Sequence, residues 1–266
     1  MELPITDNTG SNDPYPTDAE LVVTGADSAV AGDNFPGGLI LNGTTQYAST
    51  PDAASLDPGS GAFTVIVCAA QTPFAASAPW ASKMNAATNA GWFILTSTTN
   101  TMSVYIYGVS DGVAMHDTNA DWFDGAPHVA VFTSTGTAQA FYRDGTLVDS
   151  DTVTHGAVSN SDPLTAGWTA GPAYAPLNPL RGWAYYPRAI TATEALHASR
   201  YLLGFPAYRM PAGPTCLYHL ADDRCWDGVN TSVADLSGNG HTATLVGSPL
   251  SIGVPWRLSD LSRGET

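Results

Sequence analysis

Short runs of apolar and polar positions alternate along most of the chain, with the spacing typical of strands. Seven runs rich in β-branched and aromatic residues lie at 39–49, 62–71, 91–98, 101–108, 128–135, 138–150 and 181–187. Clusters of Gly, Pro, Asn and Asp separate them, as between strands joined by turns. Arg143-Asp144-Gly145 divides one run in two and predicts a hairpin turn. Many short strands with regular turns predict a β-sandwich or jelly roll.

One segment has helical signals instead. In ITATEALHASRYLLGFP, Thr191 and Glu194 have the spacing of a capping box, which predicts a helix that begins after Thr191. Gly204 is a suitable residue to end it, and Pro206 prevents its continuation. We expect one helix near 192–203.

The remaining segments suggest a division of the chain into five parts. Residues 1–38 are rich in Gly, Asp and Pro and predict an N-terminal arm. The main β-sandwich is expected at 39–203 and a linker at 204–214. Further strands are expected at 215–256, followed by a short tail at 257–266.

Charged residues make up only 12% of the chain, about half the usual share, and the net charge is −15. Such a charge disfavours nucleic acid and anionic membranes as partners. No apolar run is long enough to span a membrane. The first residues lack the features of a secretory signal, so we expect synthesis in the cytosol.

The acidic residues do not form a pattern typical of catalysis. Glycosidases use paired carboxylates, and the internal glutamates Glu20 and Glu194 are far apart in the sequence. Asp111, Asp117, Asp121 and Asp124 lie in a stretch that predicts a Gly- and Asn-rich loop, where aspartate usually forms turns. The six histidines show no metal-binding spacing. These features predict a protein that is not an enzyme.

Aromatic residues remain as candidates for binding, because sugars stack on exposed aromatic rings. Packing in the core is the alternative for each of them. The candidates for carbohydrate binding are Trp92, Tyr105, Tyr107, Trp122, Trp168 and Tyr174.

Three cysteines allow two interpretations. Cys68 lies in an apolar run and is expected to be a buried thiol. Cys216 and Cys225 could form a disulfide after release from the cell, or could stay reduced like other cytosolic thiols.

The order of segments between about 39 and 200 resembles the laminin-G-like, concanavalin-A-like lectin superfamily. LILNGTTQYAS, SGAFTVIVCAAQ, HVAVFTSTGTAQAFYRDGTLV and RGWAYYPRAITATEAL each resemble a strand motif of that family, in the family's order. The resemblance implies an all-β fold, a two-sheet antiparallel jelly-roll sandwich with one short helix.

The family's opening motif stands at the end of this chain. CLYHLADD and DLSGNGHTATLVG, which begin at Cys216 and Asp235, resemble the family's first strand and its following turn. Because the first and last strands are neighbours in this fold, we expect 215–256 to complete the sandwich. Completion of a neighbouring subunit's sandwich is the alternative.

The resemblance also implies a possible calcium site, since calcium braces the opening loop in many relatives. Asp235 and Asn239 match that loop, but Ala184 and Tyr185 stand where relatives have acidic partners. Calcium prefers six to eight oxygen ligands. We therefore expect weak or absent calcium stabilisation, no other cofactor, and a polar turn at Asp235.

Together these features predict a non-catalytic structural or adhesive surface module, most consistent with a virion component such as a capsid decoration or a tail fibre. Its expected partners are further copies of itself in a homo-oligomer, or a shell protein, with host glycans as additional ligands. A carbohydrate-binding lectin domain is the alternative, and a glycoside hydrolase or lyase is disfavoured.

Overall fold

The computed structural model describes residues 37–42, 45–72, 77–85, 88, 90–97, 101–107, 113–167, 177–205, 207–247 and 249–252. These residues form sixteen strands, one α-helix and two short 3₁₀ turns at Ala54–Leu56 and Ala120–Phe123. The strands are arranged in two antiparallel sheets, which confirms the predicted β-sandwich.

The first sheet, called sheet I, contains eight strands. Their order is β10 (Thr146–Asp151), β9 (Gln139–Arg143), β8 (Pro127–Ser134), β3 (Phe63–Ala70), β12 (Leu177–Tyr186), β1 (Gly38–Leu41) and β16 (Leu250–Ile252), while β13 (Cys216–His219) also pairs with β12. Strands β1 and β13 share one edge of the long strand β12.

The second sheet, called sheet II, also contains eight strands. Their order is β14 (Ser232–Val233), β15 (Ala243–Val246), β2 (Tyr47–Thr50), β11 (Leu164–Ala166), β4 (Ala78–Asn85), β5 (Ala90–Thr96), β6 (Met102–Tyr107) and β7 (Val113–Asp117).

The main core lies between the two sheets and follows from the alternation along each strand. On β3, Phe63, Val65 and Val67 belong to this core. Ile66 and Cys68, which alternate with these core residues, belong to a second apolar cluster on the other face of sheet I. Strand β3 is therefore buried on both faces.

Helix α1 (Ala192–Leu202) covers that second face and begins and ends nearly where the sequence predicts. Thr191 accepts a hydrogen bond from the Glu194 backbone, and the Glu194 carboxylate accepts one from the Thr191 backbone. This capping box confirms the predicted start, and Gly204 has φ +93° just after the helix. Burial opposes the charged form of Glu194, but bonds from Arg188 and Thr191 outweigh it and lower the pKa of the carboxyl group.

The C-terminal strands are integrated into both sheets of the same chain. β13 pairs with β12, β15 with β2, and β16 with β1. The Tyr218 ring stacks on Trp183 of the main body at 4.3 Å between centroids. The exact bounds of the five predicted segments stay predictions, and residues 1–36 of the arm predicted at 1–38 lie outside the described residues.

The structure corrects the sequence interpretation at three strands, of which the short strand β11 (Leu164–Ala166) lies outside every predicted run. Val113–Asp117, which the sequence assigned to a loop, is edge strand β7. Ala78–Asn85, for which no strand was predicted, is β4 near the middle of sheet II. A bulge between Pro79 and Ala81 accommodates the proline that weakened its strand pattern.

Cys68, Cys216 and Cys225 are buried free thiols. Burial raises the pKa of all three, in Cys68 and Cys225 to about 12, which keeps them protonated and unreactive. In the described part of the chain, no helix is long and apolar enough to cross a membrane.

Candidate functional site

A group of aromatic side chains lies on the outer face of sheet II near the edge strand β7. Val104 and Ile106 of β6 point into the core, so Tyr105 and Tyr107 between them point outward. Phe93 on β5 lies directly opposite Tyr105. All three outward rings are only partly buried.

These rings contact one another closely. The Phe93 centroid is 5.1 Å from that of Tyr105 and 5.6 Å from that of Tyr107, and the two tyrosines are 6.1 Å apart. His116 on β7 packs its ring edge-to-face against Tyr105 at 5.7 Å. We call Phe93, Tyr105, Tyr107 and His116 the aromatic cluster.

Polar contacts hold the edge of this cluster. The Ser103 hydroxyl and His116 Nδ1 are 2.9 Å apart. The backbone N–H of His116 donates to Asp149 Oδ2 of sheet I at 2.9 Å, which ties the edges of the two sheets together. The site therefore combines partly exposed rings with hydroxyl and imidazole groups on a fixed strand framework.

Two predicted binding residues are core residues instead. Trp92 is fully buried, and its ring lies 6.2 Å from Phe63. Trp122 is also fully buried and stacks on Phe141 at 6.1 Å. A sugar cannot reach either ring, so we correct both assignments to packing residues. Trp168 and Tyr174 lie outside the described residues.

Phe93 and His116 belong to the cluster but were not predicted. Phe93 lies in GWFILT, where apolar residues occupy both faces and the alternation does not reveal the outer one. His116 lies on the strand that the sequence assigned to a loop. The alternation in VAMHD, with Met115 buried between exposed residues, was the signal that could have identified it.

The predicted calcium ligand Asp235 has its acceptor capacity occupied by the protein. Oδ1 accepts the backbone N–H groups of Leu217 and Ser237 at 3.0 and 2.9 Å. Oδ2 accepts the Ser237 hydroxyl at 2.7 Å and the His241 N–H at 3.0 Å. A calcium ion would have to displace these bonds, so the residues present do not fit the metal.

Asn239, the second predicted ligand, also braces the turn. Its Nδ2 donates to the carbonyl oxygens of Pro214 and Thr215 at 2.9 and 3.0 Å. Among the described residues, no group of three or more His, Cys, Asp or Glu side chains could hold a metal ion. The turn is built from hydrogen bonds.

The aspartates at the end of β7 and in the turn that follows it are engaged in structural contacts. Asp117 Oδ2 accepts the indole N–H of Trp122 at 2.8 Å and a bond from Arg143 at 3.2 Å. Asp121 lies 3.6 Å from the same guanidinium. Asp111 lies outside the described residues.

Asp124 forms part of a separate contact with His128, whose Nε2 is 3.2 Å away. The other ring nitrogen is 2.7 Å from Asp144 Oδ2. Burial alone would lower the pKa of His128, but the hydrogen bonds and charges of Asp144 and Asp124 outweigh it and raise that pKa. Asp144 also holds the backbone of Val129, so this cluster fixes the hairpin turn.

A pocket of about 320 Å³ lies on the turns between β13 and β15, near the opposite edge of sheet II. Asp223, Trp226, Asn230, Thr231 and Ser232 are among its lining residues. Trp226 is only 4% exposed and therefore offers little ring surface to a ligand. The aromatic cluster is the stronger candidate.

Comparison with protein families matches residues 42–195 to the family described as the concanavalin A-like lectin/glucanases superfamily. No curated protein matches the chain. Among solved structures, a candidate carbohydrate binding protein from Bacteroides ovatus ATCC 8483 has a TM-score of 0.56 at 13% identity. That match covers 82% of this chain and 62% of the other.

The binding domain of botulinum neurotoxin serotype G has a TM-score of 0.50 at 11% identity, covering 61% of this chain and 42% of the other. The chain thus spans less than two thirds of either solved structure. At these identities the two likenesses show a shared fold.

Proposed function

This chain belongs to the concanavalin A-like lectin/glucanases superfamily, and we propose that it is a non-catalytic module that binds carbohydrate through the aromatic cluster. The observation that carries the proposal is the packing of three partly exposed rings, Phe93, Tyr105 and Tyr107, on one sheet face. Fold alone does not decide function, so the argument rests on this site.

The chemistry of the cluster suits a sugar. The apolar face of a pyranose packs on an aromatic ring, while phenol hydroxyls can bond to sugar hydroxyls. His116 and Ser103 add polar groups beside Tyr105. Because the strands fix these side chains, little conformational freedom is lost on binding.

The ligand is expected to be a neutral glycan. The chain carries a net charge of −15, which repels sialylated, uronic or sulfated sugars over the whole surface. Asp149, bonded to the His116 backbone, adds a negative charge beside the cluster.

The contacts of the carboxylates support a role without catalysis. Glycoside hydrolysis needs two carboxyl groups free to exchange protons at a sugar. Glu194 instead caps helix α1 and pairs with Arg188, with Nη2 and Oε1 2.6 Å apart. Asp117 and Asp124 support the turns described above.

The predicted setting, a virion or particle surface with homo-oligomer or shell-protein contacts, is a finer part of this proposal. It would place the binding face on an adhesive component. Size-exclusion chromatography with light scattering would test the oligomer, and immunogold labelling of purified particles would test the location. If the protein is a monomer and is not found on particles, the proposed particle setting is contradicted, whereas the proposal of carbohydrate binding is unaffected.

A glycan array tests the proposal. We expect the wild-type protein to bind a set of neutral glycans, and Tyr105→Ala/Tyr107→Ala to lose that binding. Tyr208→Ala is the matched control, because it removes an equally half-buried tyrosine beside His197 and α1. Binding to no glycan, or equal binding by wild type and the double variant, would contradict the proposal.

A further inference from the structure

Lys83, the only lysine in the chain, has an ammonium group buried in a cage of oxygen atoms. Its side chain is 1% exposed. Nζ lies 2.7 Å from Asp52 Oδ1 and 3.0 Å from Asp57 Oδ1. It also donates to the carbonyl oxygens of Asn160 at 2.7 Å and Asp162 at 3.0 Å.

This arrangement has the composition of a site for a hard metal cation. Calcium is held in proteins by carboxylate and backbone carbonyl oxygens, and here two of each converge on one point. The two carboxylates carry more negative charge than a single ammonium neutralises. The ligands come from two segments that are far apart in the sequence, one with Asp52 and Asp57 and the other with Asn160 and Asp162, as expected when a central cation organises loops.

Further bonds hold the ligands in place. The Asn160 N–H donates to Asp57 Oδ1 at 3.2 Å, and the Asp162 N–H donates to Asn160 Oδ1 at 2.9 Å. The Asn160 side chain also donates to the carbonyl oxygens of Lys83 and Ala90 at 3.2 and 3.0 Å. Such supporting bonds orient ligands around bound metals in the same way.

We propose that this cage is a cation site occupied by the ammonium of Lys83, and that it binds a calcium ion once the lysine side chain is removed. In the native protein the lysine supplies a cation that cannot dissociate. It joins strand β4 to the 51–57 and 157–163 segments without dependence on metal supply. Removal of the side chain also leaves room for the water molecules that would complete a calcium coordination shell.

Two substitutions of Lys83 distinguish the effect of losing the ammonium charge from the effect of opening space in the cage. Lys83→Met removes the ammonium but fills most of the volume, whereas Lys83→Ala removes both. In EDTA we expect both variants to melt roughly 10 °C below the wild type, because each leaves two carboxylates without their buried partner. Calcium at millimolar concentration should raise the melting temperature of Lys83→Ala by several degrees.

The controls define the site. Calcium should leave the melting temperatures of the wild type and Lys83→Met unchanged, and Lys83→Ala/Asp52→Asn should lose the calcium response. Magnesium should have little effect, since it requires short octahedral contacts that this wide cage does not supply.

A melting temperature of Lys83→Ala that calcium leaves unchanged would overturn the proposal, as would wild-type stability of Lys83→Met in EDTA. If Lys83→Ala is isolated unfolded in EDTA, calcium is titrated into it and folding is followed by circular dichroism. Calcium-driven folding supports the cation site, and its absence overturns it. Glycan binding is not needed for any of these readouts.

Discussion

At the scale of single residues, burial decides which aromatic side chains can bind a ligand. The sequence indicated that Tyr105 and Tyr107 share a face, because Val104 and Ile106 alternate with them. It could not place Trp92, whose neighbours on the strand are apolar on both faces. The two outcomes differ because alternation identifies the exposed side of a strand only when that side carries polar groups and the buried side is apolar.

His219 provides a test of burial through pH. Desolvation lowers the pKa of its imidazole to about 4; Asp222 opposes this shift, and Arg181 and Arg224 reinforce it. Since the folded-state pKa is below the unfolded value of 6.5, the unfolded state binds the proton first. The stability from neutral His219 is present above pH 6.5 and is lost as the pH falls towards 4.

We therefore expect the free energy of unfolding to fall by about 2 kcal/mol between pH 7 and pH 5 through His219 alone. Urea unfolding gives the free energy of unfolding of the wild type and of His219→Gln at pH 7 and at pH 5. The contribution of His219 is the difference between the two proteins in how much this free energy changes with pH. Equal changes for the two proteins would show that the buried histidine does not control this pH range.

At the scale of secondary structure, the sequence predicted an element correctly where capping or turn residues mark its ends. The Thr191–Glu194 spacing predicted the beginning of α1, and Asp144-Gly145 predicted the hairpin, where both residues have positive φ. Strand β4 has no comparable signal, because Pro79 interrupts its pattern and Lys83 is polar. Strand β4 forms because it pairs with β5, the next strand in the chain, and with β11, which is far away in the sequence. A local sequence pattern does not reveal such pairing.

The capping box gives a prediction for α1. Thr191→Ala removes the oxygen that accepts the Glu194 N–H, so we expect a loss of about 1 kcal/mol in the free energy of unfolding. Thr118→Ala, at an exposed loop position, should change it by less than about 0.5 kcal/mol. A Thr191→Ala variant as stable as this control would show that the helix does not depend on its cap.

At the scale of the whole molecule, the family's opening motif closes the sandwich from the far end of the chain. The sequence predicted this connection from the resemblance of CLYHLADD and DLSGNGHTATLVG to that motif. The sequence could not distinguish strands that complete their own chain's sandwich from strands that complete a neighbouring subunit's sandwich, because the same strands pair in both cases. In the structure β13, β15 and β16 pair within the chain.

Removal of residues 215–266 should prevent formation of a stable fold. The truncation exposes edges of β12 and β2 and removes Tyr218 from its stack on Trp183. We expect loss of the cooperative thermal transition and aggregation through the exposed edges. A separately made peptide of residues 215–256 should restore the transition when added during refolding. A truncated chain that melts like the full protein would contradict the role of these strands.

Carbohydrate binding through the aromatic cluster is the central claim, and isothermal titration with the strongest array glycan tests it most directly. We predict one binding site per chain for the wild type and for Tyr208→Ala. For Tyr105→Ala/Tyr107→Ala we predict an affinity at least tenfold lower, with near-UV circular dichroism verifying its fold; each aromatic contact contributes roughly 0.5–1.5 kcal/mol. Wild-type affinity in the folded double variant would contradict the claim.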